Sequence, residues 1–214
     1  GLSNVLHIGS GGMVHCAATA SDLYCWGMDD YYQAGVDDGA SSDDILVPTL
    51  VGGSALSDIV FISGNYYSTC AVKSTGALYC WGDNSLSVVT ADGTTSTKTS
   101  PFLVSAVTNV KEVTIGGQSW ACALKNDGTI QCWGKGDNGY LGNGFTSDSG
   151  TPVSVTGISD GVTITSGNRV TCASRELGVV SCWGMDDAFV SSNSNSPVDN
   201  DNVDCNPEPP APTP

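Results

Sequence analysis

The tripeptide Cys-Trp-Gly occurs four times in this chain and returns about every 50 residues. A second cysteine stands nine or ten residues before each copy, so the pattern accounts for eight of the nine cysteines. A fixed period of this length indicates a repeat architecture, in which each repeat is one supersecondary unit that buries its apolar face against its neighbours. The pairs are Cys16 and Cys25, Cys70 and Cys80, Cys122 and Cys132, and Cys172 and Cys182.

The third repeat shows how each pair is expected to meet. If residues 126–128 (Asn-Asp-Gly) form a three-residue hairpin loop with the glycine in the left-handed region, Cys122 stands directly opposite Cys132. Opposed residues of a non-hydrogen-bonded antiparallel pair have Cβ atoms at the spacing that a disulfide needs. The same arithmetic applies to the other repeats, with a two-residue loop in the first. We therefore predict four disulfides, one in each hairpin.

Two alternatives to disulfides remain open from the sequence. Reduced, buried cysteines act as small hydrophobic residues. Zinc sites commonly use two cysteines separated by two to four residues, whereas eight or nine separate them here. We favour disulfides, which indicate an oxidising compartment, and we expect an extracellular or cell-surface location.

The composition limits the partners of the chain. Only 7 of 214 residues are Lys or Arg against 22 Asp and Glu, and the net charge is −15. A nucleic-acid surface needs clustered basic residues, so no nucleic-acid partner is expected, and an anionic membrane surface is excluded on the same ground. No run of 18 apolar residues exists, so no membrane insertion is expected. The chain starts at Gly1 and enters a repeat almost at once, which favours a processed or excised segment.

Each repeat contains about four candidate strands, as in a propeller blade. A β-rich run ending in glycine precedes the first cysteine, the hairpin follows, and a polar loop leads to a Pro-then-Val element. We predict an all-β, β-propeller-like fold over 1–198 with blade repeats at about 4–57, 58–108, 109–160 and 161–198. Residues 199–214 form an Asp/Asn-rich and then Pro-rich tail or linker.

Repeat three runs Ala121-Cys-Ala-Leu-Lys-Asn-Asp-Gly-Thr-Ile-Gln-Cys-Trp-Gly134 and continues with Asp137-Asn-Gly-Tyr-Leu-Gly142. This pattern resembles the repeat of the regulator of chromosome condensation family, in a disulfide-rich variant with four copies over residues 4 to 198. The best-known members of that family have seven blades, so the resemblance leaves a closed ring, an open arc and chain-to-chain stacking as alternatives. The family often has His two residues before the first cysteine, whereas this chain has Val14, Ser68, Trp120 and Val170.

Two groups of aromatic residues stand out. One tryptophan per repeat at an equivalent place predicts packing between blades rather than a carbohydrate platform: Trp26, Trp81, Trp133 and Trp183. The second group contains candidates for an exposed contact surface, about half of them being expected in the core: Tyr31, Tyr32, Tyr66, Tyr67, Trp120 and Tyr140.

No catalytic constellation stands out. His7 and His15 are the only histidines, neither lies in a motif, and a serine or cysteine nucleophile would need one of them as its base. We therefore expect no enzyme activity and no cofactor. Asp199, Asp201 and Asp204 space their oxygens like part of a calcium loop but lack its central glycine and terminal glutamate, so calcium is a weak candidate beside a solvated linker.

The ninth cysteine, Cys205, lies outside the repeats and is a candidate for an intermolecular link. Together these features predict a non-catalytic extracellular structural or interaction module, a building block of a cell-surface or fibrous assembly. Its partners would be copies of itself, as a homo-oligomer or polymer, or another extracellular protein. The alternative is a secreted binding or inhibitor propeller that recognises a protein or glycan through its loops. Ser, Thr and Pro are plentiful enough for O-linked sugar.

Overall fold

The computed structural model describes residues 1–36, 44–117, 119–185 and 194–199. Within these ranges the chain forms four antiparallel sheets of four strands, each a blade built in sequence order. Blade 1 contains β1 His7–Gly11, β2 Val14–Ala18, β3 Leu23–Gly27 and β4 Ile45–Val51; blade 2 contains β5 Ile59–Gly64, β6 Ser68–Lys73, β7 Leu78–Gly82 and β8 Lys98–Leu103; blade 3 contains β9 Val110–Gly116, β10 Trp120–Lys125, β11 Ile130–Gly134 and β12 Ser149–Ser154; blade 4 contains β13 Gly161–Ser166, β14 Val170–Arg175, β15 Val180–Gly184 and β16 Ser194–Asp199.

The two middle strands of every blade form the hairpin that carries the disulfide. In blade 3, Gly128 has φ +80° and the Lys125 amide donates to the Thr129 carbonyl over 2.9 Å, which closes the loop expected from the sequence. The register then places Cys122 opposite Cys132. The structure joins all four cysteine pairs at Cα separations of 4.0–4.1 Å, which is the close spacing of a non-hydrogen-bonded pair.

The blades follow one another through their first strands. β1 packs against β5, β5 against β9, and β9 against β13. Packing of that kind does not join β13 to β1 in the described part of the chain. In the described residues the four blades therefore form an arc of three junctions, with one face of blade 1 and one face of blade 4 outside those junctions.

Strand alternation gives each blade two different faces. The cysteines point toward the following blade: Cys70 and Cys80 share a buried cluster with Val113 of blade 3. Each tryptophan is one residue further along the strand and points the other way, so Trp133 joins the same cluster from the other side. We call the tryptophan side of a blade its leading face and the cysteine side its trailing face.

In blades 1 to 3 a loop connects the third strand to the fourth, and in blade 2 this loop is organised by Asn84. The buried Asn84 carboxamide accepts from the Val89 and Thr90 amides over 2.9 and 3.2 Å and donates to the Thr94 carbonyl over 2.8 Å. In blade 1, the Asp29 carboxylate takes the same role by accepting from the Ala34 amide over 2.7 Å. These contacts fix where the loop presents its backbone to the next blade.

The fourth blade extends slightly past the expected boundary. The sequence predicts that the repeats end at residue 198, whereas β16 runs to Asp199. The remainder of the proposed tail lies outside the described residues.

We expect Asn84→Ala to lower the free energy of unfolding by about 2–4 kcal/mol, because it leaves two buried amide donors without their acceptor. Asn126→Ala is the matched control, because Asn126 also bonds through its side chain, to Asn109, but on the surface. Its cost should stay below about 1 kcal/mol. Urea unfolding followed by tryptophan fluorescence measures both, and equal costs would show that Asn84 does not organise the loop.

Candidate interaction surfaces

The same type of hydrogen bond occurs at each of the three junctions between blades. The Trp81 indole Nε1 donates to the Gln33 carbonyl over 2.8 Å, Trp133 donates to the Val88 carbonyl over 2.8 Å, and Trp183 donates to the Tyr140 carbonyl over 3.1 Å. In each case the acceptor lies in the loop between the third and fourth strands of the preceding blade. All three tryptophans are fully buried. The indole therefore packs against and hydrogen-bonds its neighbour at the same place three times.

Glycines let two of these loops reach the indole. Gly35 has φ +71° and a Cβ there would lie 2.6 Å from the Trp81 Nε1 atom, and Gly142 has φ +61° with a Cβ 2.8 Å from the Trp183 ring. A side chain at either position would be strained and would push the loop away from the ring. The close approach is thus built into the loop sequence.

Trp26 is the equivalent residue of blade 1, and among the described residues no other blade packs on this side of blade 1. It is only partly buried, and its indole nitrogen donates to no acceptor among the described residues. Trp26 therefore differs from Trp81, Trp133 and Trp183, which are fully buried at junctions: it is only partly buried, and it packs against the cluster that contains Cys16 and Cys25. Its ring lies 6.1 Å from that of His15, which is exposed.

The leading face of blade 1 is apolar and open. Ile8 is 80% exposed, whereas its equivalents Ile62, Val113 and Ile164 are 8%, 0% and 4% exposed. Two grooves of about 950 and 290 Å³ flank the Trp26 ring. They are lined mainly by apolar side chains, among them Ile8, Met13, Met28, Ile45 and Leu46.

The trailing face of blade 4 is open as well. Val180 is 41% exposed, whereas its equivalents Leu23, Leu78 and Ile130 are 0%, 0% and 1% exposed. Cys172 is partly exposed, although the corresponding cysteine of each other blade is buried. Both ends of the arc thus expose positions that are buried at the junctions.

A third surface lies on the loops of blades 1 to 3. Tyr31 and Tyr67 meet edge to face at 5.0 Å, and Tyr66 lies beside them. Tyr31 and Tyr67, with Asp83 and Lys135, line a shallow polar groove of about 360 Å³. Tyr31, Tyr66 and Tyr67 are therefore the predicted contact residues that the structure brings together.

Other predicted contact residues belong to the core. Trp120 and Tyr140 are buried and their rings stack at 4.2 Å, and Trp120 Nε1 donates to the Thr171 hydroxyl over 2.9 Å. The signal for Trp120 was present in the sequence, since it lies two residues before Cys122 and so shares the trailing face. Tyr32 has φ +61° in the blade 1 loop.

The candidate metal and catalytic residues do not converge. No group of three His, Cys, Asp or Glu side chains that could hold a metal ion occurs in the described ranges. The Asp199 carboxylate accepts from Ser181 and from Arg175, while Asp201, Asp204 and Cys205 lie outside those ranges. Arg175 also donates to Asp160 over 2.7 Å, and this hydrogen bond lowers the pKa of that carboxyl below its usual value. His7 and His15 occupy β1 and β2 and form no pair.

No helix in the described residues is long and apolar enough to cross a membrane.

The profile of the regulator of chromosome condensation (RCC1) repeat matches residues 59–87 and 127–174. The human E3 ubiquitin-protein ligase HERC2 is 34% identical over 146 residues, which is 66% of this chain and 3% of HERC2. Human WBSCR16 superposes with a TM-score of 0.79 at 21% identity over 91% of this chain and 52% of that one. Prp20p of Saccharomyces cerevisiae superposes with a TM-score of 0.70 at 22% identity, over 81% of this chain and 44% of the Prp20p chain.

The fold is therefore an arc of propeller blades with disulfide-bonded hairpins. The repeats of this chain are RCC1-like. The chain spans about half the length of the solved propellers that it resembles and a small fraction of HERC2.

We expect Trp133→Phe to cost about 2–3 kcal/mol of unfolding free energy, because it opens a gap and leaves the buried Val88 carbonyl without its donor. Trp26→Phe should cost less than about 1 kcal/mol in the dilute chain, because the Trp26 indole has no such acceptor. Chemical unfolding followed by circular dichroism compares the two, and a Trp26 cost as large as that of Trp133 would contradict the open face.

The fourth disulfide should be reduced first. Thiol exchange requires access to a sulfur atom, and Cys172 is partly exposed while the cysteines of the other three pairs are buried. Brief treatment of the dilute, unassociated chain with a mild reductant, followed by alkylation and peptide mass spectrometry, should label Cys172 and Cys182 before the others. Earlier labelling of Cys70 and Cys80 would show that the trailing face of blade 4 is covered.

Proposed function

We propose that this chain is a non-catalytic extracellular structural and interaction module, a building block of a cell-surface or fibrous assembly. The observation that carries the proposal is the pair of uncovered blade faces at the two ends of the arc. Exposed contiguous apolar surface of this kind marks an interaction site. Blade contacts would build the assembly, with the proline-rich tail as spacer or docking segment.

Three further features support this function. Four disulfides suit an oxidising, extracellular setting and stiffen each blade. The net charge of −15 disfavours polyanions as partners. Prp20p, which shares the fold, is described by its binding to Gsp1p and histones, and this chain would likewise act by binding proteins rather than by catalysis.

Light scattering on the native chain, with and without reductant, tests the proposal. We expect a species of at least twice the chain mass. Intact mass spectrometry should show that the eight hairpin cysteines are oxidised. If reductant releases single chains without unfolding them, Cys205 is the covalent link. A compact monomer at all concentrations would refute the assembly.

The loop surface that contains Tyr31, Tyr66 and Tyr67 favours a second candidate function, a secreted module that recognises a protein or glycan through its loops. Tyrosines that expose an apolar ring and a hydroxyl are enriched in such contact surfaces. Tyr67→Ala should then abolish binding to a glycan array or an isolated partner while leaving the oligomeric mass unchanged. Unchanged binding would exclude the loops as the recognition surface.

A further inference from the structure

The two open faces of the arc correspond to the two halves of one interface. Every internal junction brings together the same four components. The leading face of one blade supplies an aliphatic residue and a tryptophan, and the trailing face of the preceding blade supplies the hairpin disulfide and another aliphatic residue. At the junction of blades 2 and 3 these are Val113 and Trp133 on one side and Leu78 with the Cys70–Cys80 disulfide on the other.

Blade 1 presents the first half of this set without its partner. Ile8 stands where Ile62, Val113 and Ile164 stand, opposite Ala17 as they are opposite their own alanines. Trp26 stands where the three buried tryptophans stand. The grooves around the Trp26 ring lie where a neighbouring blade would pack.

Blade 4 presents the second half. Val180 pairs with Ser174 as Leu78 pairs with Val72, and it lies beside the Cys172–Cys182 disulfide. In blades 1 to 3, the residue seven positions after the blade's own tryptophan supplies the carbonyl acceptor for the next blade, as Gln33 does for Trp81. The corresponding residue of blade 4 is Val190, which lies outside the described residues.

We infer that the blade 1 face binds the blade 4 face of a second copy of this chain, in a head-to-tail contact that repeats the internal junction. The partner is a second copy because one chain carries both halves of an interface that it already forms three times. Such a contact joins two different surfaces, so it propagates into a ring or a filament according to the rotation between copies. This inference rests on the proposed function and names its partner.

Two single substitutions and their mixture test the contact. The variants are Ile8→Asp and Val180→Asp, both in a Cys205→Ser background so that a covalent link does not hide the result. Val60→Asp is the matched control, because Val60 is 39% exposed on blade 2 and belongs to neither end face. Far-ultraviolet circular dichroism and a count of free thiols establish that each variant is folded and oxidised.

Light scattering at increasing concentration should show the background chain and Val60→Asp as assemblies. Each end-face variant should weaken association at least tenfold, because a carboxylate would be buried in an apolar contact. Mixing the two variants should restore a dimer, because Ile8→Asp keeps an intact blade 4 face and Val180→Asp keeps an intact blade 1 face. Assembly that only Ile8→Asp disrupts, or a mixture that stays monomeric, would overturn the head-to-tail contact.

The outcomes separate the inference from the proposed function. A monomeric background chain refutes the assembly itself. An assembled background chain that neither end-face variant affects refutes the head-to-tail contact alone.

A measurement on the unmutated end faces covers the case in which the aspartate variants do not fold. The Trp26 indole N–H signal of the ¹⁵N-labelled background chain should exchange with solvent more slowly as the concentration rises, while that of Trp133 stays protected throughout. A Trp26 exchange rate that is independent of concentration in an assembled sample would refute the contact.

Discussion

The hydrogen bond from the indoles of Trp81, Trp133 and Trp183 to a carbonyl of the preceding blade organises this molecule. It couples three levels of structure, because the strand alternation aims the ring, the loop supplies the acceptor, and the ring buries itself between two sheets. A buried indole N–H without an acceptor is costly, so the loop must reach the ring in one position. Gly35 and Gly142 allow that approach, and Asn84 and Asp29 fix the loops that make it.

The disulfides act on the opposite side of each blade. They join adjacent strands that are close in sequence, so each removes little entropy from the unfolded chain. Their larger contribution to the fold is as packing surface, because Cys70 and Cys80 lie within the apolar cluster shared with blade 3. One dipeptide, Cys-Trp, thus supplies both faces of a blade, which explains why it recurs in each repeat.

The period-2 alternation and the loop lengths were enough to predict the hairpin registers, because Gly128 and its neighbours leave one way to close the turn. The burial of Trp120 could also be predicted, because Trp120 lies two residues before Cys122 on the same strand and therefore points to the trailing face. The partial exposure of Trp26 could not be predicted, because Trp26 and Trp81 lie in the same local sequence, Leu-Tyr-Cys-Trp-Gly. What differs is the neighbour, and a neighbour is a property of the arc rather than of the repeat.

That difference gives the arc its directionality. In a closed propeller every leading face is covered by a trailing face, and the number of blades is set by the angle between them. Here the Ile8 side chain stays in solvent while the Val113 side chain, in the same strand position, is fully buried. Removing that exposed surface from water is favourable wherever a complementary face is available. The interaction that stabilises each internal junction therefore also favours association at the ends, and the same residues that determine the fold determine what the molecule can bind.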